Sequence, residues 1–360
     1  MAEKLLRAGI IGCGGIANQK HMPNLAKTGK AVMVAFCDIV EEKAVKAAKE
    51  YGTPDAKHYT DYKQLLAENK LDMVYVCTPN KSHSYITIDA LEAGNHVMCE
   101  KPMAKTAKEA RDMVEAAKRT GKLLAIGYQT RFFAPSQYIK QTIERGDLGE
   151  IYFAKAHALR RRAVPTWGVF LNEEEQGGGP LIDIGTHALD LTLWYMNNYK
   201  PKSVMGNVYK KLNSNGVCGN AFGPWNPDEF TVEDSAFALI TMEDGATIIL
   251  ESSWALNMID AFEAESTLCG TKGGADMRGG VRINGDDFGR LYEKTPKLGA
   301  GGVAFFDGGA ADHGTFEQMT FINAITKGTP LVVLPEQACV VTEILEAIYK
   351  SAETGKLVEF

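Results

Sequence analysis

The sequence predicts an α/β fold: a doubly wound parallel sheet, followed by an α+β part built on a large, mostly antiparallel open sheet. Three observations carry this prediction. Short apolar runs alternate with amphipathic stretches through the first third of the chain. A glycine-rich turn separates the first apolar run from the first helical pattern. From Ile151 onward the apolar runs lengthen and show partial period-two alternation.

In the first part, strand-like runs lie at Leu6–Ile11, Val32–Cys37, Met73–Cys77, His96–Cys99 and Leu123–Gly127. Between them Glu41–Tyr51, Tyr85–Ala93 and Ala107–Thr120 place apolar residues at helical spacing, and Gly52, Gly94 and Gly121 stand where C-terminal caps belong. This order suits six parallel strands in a doubly wound sheet. In the second part the runs are Ile151–His157, Val204–Lys210, Ser235–Met242 and Thr247–Trp254, with a hairpin at Met242–Ala246. Helices are predicted near Thr186–Tyr195, Phe316–Thr326 and Pro335–Ser351, and a mobile loop at Gly299–Gly309. At 360 residues the chain exceeds one core, so domains are drawn at 1–128 and 129–360, leaving the C-terminal helix free to pack back on the first.

Composition narrows the function. Hydrophobic content of 45% and charged content of 23% are those of a soluble globular protein. A net charge of −6 argues against a nucleic-acid partner, and Arg160-Arg161-Arg162 is too short to read as a nucleic-acid tract. The seven cysteines are scattered, with no Cys-x-x-Cys pair, so neither a metal site nor a redox dithiol is expected. No apolar stretch is long enough for a membrane, and Met1–Arg7 leads straight into a strand-like run without a signal peptide. The expectation is a reduced, cytoplasmic protein.

Gly12-x-Gly14-x-x-Ala17 follows a strand and opens a helix, the context that gives this motif meaning. Gly12 permits a tight turn, Gly14 lets a pyrophosphate approach the backbone, and Ala17 keeps the helix close to the sheet. The phosphates then rest on the helix N-terminus beside Gly15 and Ile16. Asp38 ends the second strand, where a carboxylate grips the adenosine ribose. Ile39 and Val40 follow instead of arginine, so NAD is predicted in preference to NADP. Thr78-Pro79-Asn80 and His83, after the next strand, are expected along the nicotinamide half, with helix capping by Asn80 or Ser82 as the plainer reading.

Two further segments are candidates for chemistry. Glu100-Lys101-Pro102 ends a strand at the cofactor edge, although taken alone a charged pair closing a strand is the plainer reading. In Gly177-Gly-Gly-Pro-Leu-Ile-Asp183-Ile-Gly-Thr-His187, a helix starting near Asp183 puts Asp183 and His187 on one face, with Asp190 placed to orient the imidazole. The plainer reading makes Pro180 a helix start and His187 a core residue. Gln129 and Arg131 are expected to border the cleft. His157, Arg160, Arg162 and Trp167 are candidates for substrate contact, the arginines sharing a strand face and the indole able to stack on a sugar or an aromatic aglycone.

Glu100-Lys101-Pro102 with Gly177–Trp194 behind the nucleotide turn resembles the glucose–fructose oxidoreductase, inositol dehydrogenase and rhizopine-catabolism (Gfo/Idh/MocA) family, over nearly the whole chain. The resemblance implies a Rossmann domain, then an α+β domain whose open sheet mediates a homo-oligomer, a dimer or tetramer. It implies that Lys101 contacts the substrate hydroxyl and the nicotinamide ribose, with Asp183 and His187 completing a catalytic set and Glu100 and Gln129 near the cofactor. The stretch His157–Gly168 also resembles members that oxidise C3 of glucosides. The function expected is NAD-dependent oxidation of a secondary hydroxyl of a sugar or glycoside. Alternatives are an NAD-dependent glycoside hydrolase working by oxidation and elimination, an inositol or sugar-phosphate dehydrogenase, and a non-catalytic NAD-binding regulator.

Overall fold

The computed structural model describes residues 5–215, 219–298 and 312–360; the segment Gly299–Gly309 lies outside the described residues. The chain divides into two units, Met1–Phe132 with Ala311–Cys339 and Phe133–Ala310 with Val340–Phe360.

In the first unit the described residues form a six-stranded parallel sheet in the order β3-β2-β1-β4-β5-β6. The strands are β1 (Leu6–Ile11), β2 (Ala31–Cys37), β3 (Gly52–Tyr59), β4 (Met73–Val76), β5 (His96–Cys99) and β6 (Leu124–Ile126). All but β3 coincide with apolar runs. β3 carries no apolar run because it is an edge strand, exposed at Pro54, Asp55, Lys57 and His58 and fully buried only at Tyr59, with Pro54 tolerated at the edge. Gly52 is also not a left-handed cap: its φ is −77° and it leads the helix Glu41–Tyr51 directly into β3. Helix Ala107–Thr120 carries the local signals fully, with a Thr106–Glu109 capping box and a left-handed Gly121.

Helix His313–Lys327 belongs to this unit, although a single boundary after Tyr128 had assigned it to the second domain. Phe321 and Ile322 join Met22, Leu25 and Tyr75 in one buried cluster. Each such side chain contributes roughly 1.5–3 kcal/mol by leaving water, which makes this helix part of the first core.

In the second unit the described residues form a nine-stranded sheet, β14-β13-β12-β11-β7-β10-β9-β8-β15. Its strands are β7 (Ile151–Leu159), β8 (Pro201–Tyr209), β9 (Ser235–Met242), β10 (Thr247–Ser253), β11 (Glu263–Gly270), β12 (Gly273–Asp276), β13 (Arg282–Asp287), β14 (Arg290–Lys294) and β15 (Val358–Glu359). β7 and β10 pair in parallel, and the other ladders are antiparallel. The predicted hairpin joins β9 to β10, with Met242 N–H on Ala246 O at 2.8 Å.

Ala154, Ala156 and Ala158 on β7 are fully buried, and their small side chains let helix Thr186–Met196 settle on that face. Two polar contacts fix it: Thr192 with Ser266 at 2.8 Å, and Ser252 Oγ donating to Pro180 O at 2.8 Å. Strand alternation turns Lys155 and His157 to the opposite face. No helix among the described residues is long and apolar enough to cross a membrane.

Candidate active site

β1 ends at Ile11 and the backbone turns at Gly12, whose φ is +90°. A Cβ there would lie 2.6 Å from the Cys77 carbonyl, so the turn demands glycine on two counts. Gly14 is different, because a Cβ on it would meet nothing within 4 Å. The chain's own packing therefore does not call for glycine at Gly14. The helix opens at Gly15, passes through a π turn at Ala17–His21 and continues as Met22–Thr28, with Gly15 and Ile16 exposed and Ala17 fully buried.

Asp38 follows β2. Its Oδ2 accepts the Cys13 N–H at 2.9 Å and its Oδ1 accepts the Val40 N–H at 2.9 Å. The carboxylate therefore braces the glycine turn. Ile39 and Val40, the two residues after Asp38, are exposed and apolar. Burial, then the charge of Asp38, pushes the Cys13 and Cys37 thiols up to about 12, so both pack as neutral groups.

Thr78, Pro79 and Asn80 follow β4, where Ser82 Oγ lies 2.8 Å from Thr78 Oγ1. His83 is buried, its Nδ1 2.8 Å from Pro102 O and its Nε2 2.7 Å from Thr78 O. Both ring nitrogens thus face protein carbonyls, and the imidazole clamps the loop after β4 to the loop after β5. Burial opposes its charge, but Cys99 and the two carbonyls prevail and raise its pKa to about 9.

Glu100, Lys101 and Pro102 follow β5, with a cis peptide between Lys101 and Pro102. The partners of the Glu100 carboxylate were not legible in sequence. Its Oε1 accepts from Lys20 Nζ at 3.0 Å and from His21 Nε2 at 2.6 Å, and its Oε2 accepts from the Lys101 backbone N–H at 3.1 Å. Lys20 also meets Glu317 at 3.0 Å. Gln318 Nε2 lies 3.3 Å from His21 Nδ1, and Tyr75 donates its hydroxyl to Gln318 Oε1 at 2.6 Å. All six side chains are buried. Burial opposes ionisation of Glu100, but Lys20 and His21 hold its carboxyl well below the usual range. The donors run in one direction, Tyr75 to Gln318 to His21 to Glu100, which assigns the Nε2–H tautomer to His21.

Gln129 is half-buried at the start of the turn Gln129–Phe132. Arg131 does not border a cleft as expected. It is fully buried, and its Nη1 donates to Val332 O at 2.9 Å and to Gln337 Oε1 at 2.7 Å. Its fixed fork ties down the returning segment of the unit.

In the second unit, Glu233 organises the glycine segment. Buried, it accepts from Gly179 N–H at 2.9 Å, Leu181 N–H at 3.1 Å and Tyr349 Oη at 2.9 Å. It is a side-chain cap supplied from far along the chain, and the run it caps is helical from Pro180, as in the plainer reading, not from Asp183. A π turn, Leu181–Gly185, opens that run before Thr186–Met196. From Gly178 to Leu193 every residue is buried except Asp183 and His187. Asp183 Oδ2 accepts from the indole N–H of fully buried Trp254 at 3.0 Å. Asp190 is fully buried.

Arg160 pairs with Glu263 through both Nε, at 2.6 Å, and Nη2, at 2.5 Å. The negative charge of Asp183 also acts on it. Arg162 donates to Asn257 Oδ1 at 2.8 Å. Trp167 is exposed beside Phe222 and Phe170. His157 is a correction: it sits on the sheet face away from helix Thr186–Met196, between Glu251 at 2.8 Å and Thr267 at 3.2 Å. Alternation along β7, not its nearness in sequence to Arg160, decides its direction. Among the described residues, no group of three or more His, Cys, Asp or Glu could hold a metal ion.

Turn, acid and sheet order together define an NAD-binding oxidoreductase. Residues 6–128 match the oxidoreductase family with an NAD-binding Rossmann fold, and residues 136–276 match the GFO/IDH/MocA C-terminal domain. The D-glucoside 3-dehydrogenase of Escherichia coli strain K12 is 38% identical over 361 residues, spanning 100% of this chain and 99% of that one. An inositol 2-dehydrogenase of Salmonella paratyphi B is 31% identical over 202 residues, 55% of this chain and 57% of that one. A levoglucosan dehydrogenase, solved in complex with NADH and levoglucosan, shares the fold with a TM-score of 0.83 at 22% identity, covering 99% of each chain. The chain belongs to the Gfo/Idh/MocA family of NAD(P)-dependent oxidoreductases acting on CH–OH groups.

Proposed function

We propose that this enzyme oxidises the C3 hydroxyl of a glucoside, with Lys101, Asp183 and His187 as its catalytic residues. One observation carries the reading: in an otherwise buried run, Asp183 and His187 keep solvent access, one helical turn apart, and Trp254 fixes the first of them. The full-length likeness to a D-glucoside 3-dehydrogenase supports the choice of substrate.

NAD, when bound, supplies the hydride acceptor. The cradle at Gly14 fits its pyrophosphate, and Asp38 its adenosine ribose. His187 takes the hydroxyl proton; imidazole has an ordinary pKa of about 6.5 and serves as a base near neutrality. The Lys101 ammonium stabilises the negative charge that develops on that oxygen. Asp183, held by the indole N–H, accepts a neighbouring sugar hydroxyl and fixes which carbon faces the cofactor.

The open face of the nine-stranded sheet carries exposed Met205 and Leu239, paired across β8 and β9, which suits contact between copies of this chain, a dimer or tetramer. Among the described residues Cys13, Cys37, Cys77, Cys99 and Cys269 are free thiols, which suits a reducing compartment such as the cytoplasm.

The test follows NADH in solutions of methyl glucoside and of its 3-deoxy analogue, with the product identified by NMR. The reading expects a 3-keto glucoside from the first and no NADH from the second. Oxidation at another carbon, or release of free methanol without net NADH, refutes it.

A further inference from the structure

The aromatic rings of the second unit form a path outward from Asp183. Trp254, whose N–H holds that carboxylate, meets Phe170 at a centroid distance of 6.4 Å, and Phe170 meets Trp167 at 5.8 Å. Trp167 in turn meets Phe222 at 4.8 Å with the rings at 89°. Trp254 is fully buried, whereas Trp167 is 53% exposed and Phe222 45%. The path therefore begins in the core beside a candidate catalytic acid and ends in solvent with two large apolar rings.

These outer rings stand on a braced scaffold. Val164 N–H donates to Asn220 Oδ1 at 2.8 Å, and Asn220 Nδ2 donates to Gly223 O at 2.7 Å. Ala221 N–H donates to Arg162 O at 3.0 Å, and the Thr166 hydroxyl to Phe222 O at 2.6 Å. Their ordering is settled before any ligand arrives, which is the condition under which an exposed aromatic surface binds with little entropic loss. The perpendicular packing also leaves a flat ring face for a further aromatic partner in an offset or edge arrangement.

On a glycoside whose sugar is held by Asp183, the aglycone lies beyond the glycosidic oxygen, on the side away from the reacting hydroxyl. We propose that the Trp167–Phe222 corner is an aglycone subsite, and that the preferred substrates are glucosides with an aromatic aglycone. The inference rests on the glucoside reading above. The rings contribute binding energy remote from C3 and set specificity through KM.

The experiment compares kcat/KM for phenyl and methyl glucosides of the same anomer, with NAD at saturation. The wild-type enzyme prefers the phenyl glucoside by about tenfold, the factor expected of one good aromatic contact. Trp167→Ala removes most of that preference through KM, and Trp167→Phe restores it. Phe288→Ala, at a residue 96% exposed in the turn between β13 and β14, leaves the ratio unchanged. Equal use of the two glucosides by the wild type, or a ratio that survives Trp167→Ala, overturns the inference. So does a loss of oligomer size in Trp167→Ala with the ratio intact, which would assign the corner to a second copy of the chain. If neither glucoside is oxidised, the glucoside reading itself has failed and the subsite falls with it.

Discussion

Replacing Glu100 by glutamine separates charge from shape beneath the lysine loop. Three donors converge on this carboxylate, Lys20 Nζ and His21 Nε2 at Oε1 and the Lys101 N–H at Oε2, and all three side chains of this cluster lie in or beside the core. Glutamine offers one acceptor oxygen and two donor hydrogens, so either orientation of its amide sets a donor against a donor. One or two charge-assisted bonds are lost at about 1.5–3 kcal/mol each. Lys20 keeps Glu317 at 3.0 Å, which spares the ammonium complete isolation. The expected loss is therefore about 3 kcal/mol, at the lower end for breaking a buried pair. Lys20→Met alone leaves two buried carboxylates facing each other's field and costs about 3–5 kcal/mol. The double variant Lys20→Met/Glu100→Gln removes both charges and should lose at least about 1 kcal/mol less than the sum of the singles. Urea unfolding followed by fluorescence, at constant slope, measures each value. A single-variant loss under about 1 kcal/mol, or strict additivity in the double, refutes the argument that the pair is held by charge. The pH dependence gives the same test. Glu100 is held well below its ordinary value of 4.5, so its stabilisation is complete above that pH and is lost as pH falls through the lower folded value. Glu100→Gln should flatten that acid limb.

Three other outcomes are expected. His83, raised from 6.5 to about 9, stabilises fully below the lower value and loses that contribution as pH rises through the upper one, about 3 kcal/mol in all; His83→Asn should flatten this alkaline limb of the unfolding free energy, and parallel curves would remove the imidazolium from the account. Gly14→Ala should leave the ligand-free protein within about 0.5 kcal/mol of wild type, because its Cβ meets nothing within 4 Å, yet weaken NAD binding by about tenfold or more in a titration; unchanged affinity would place the pyrophosphate elsewhere. His187→Ala should lower kcat by at least about a hundredfold with NAD affinity retained; an unchanged rate would free His187 from the proton transfer.

The legible parts of the sequence were those whose physics is local. Gly12, Gly14 and Asp38 could be read because a turn, a strand end and their spacing occupy one βα unit. Helix Ala107–Thr120 could be read because its apolar spacing and its Gly121 cap are local. β3 and β14 escaped because edge strands bury little and so carry no apolar alternation. Arg131 and His157 were misplaced for another reason: each has partners roughly a hundred or more residues away, which no window of sequence displays. Glu233, Trp254 and Lys20 were missed in the same way. Each is a lone residue whose role exists only through a distant partner, Gly179, Asp183 and Glu100 in turn.

The segment Gly177–His187 admitted two readings in sequence, a helix start with a core histidine or a polar reactive face, and burial bears on the choice. A helix needed only for packing against β7 and β11 has no use for polar side chains, and leaving them inside would cost roughly 1–3 kcal/mol for each unsatisfied group. Here Thr186, Asp190 and Thr192 are buried while Asp183 and His187 keep access to solvent. Glu233 and Tyr349 lock the start of the run, and Trp254 locks Asp183 within it. A carboxylate restrained by a buried indole, one turn before a partly exposed imidazole, is costly order to impose on two half-buried residues. That cost has a purpose if both must meet a substrate in one fixed geometry, and the preference for the reactive face over the packing helix rests there.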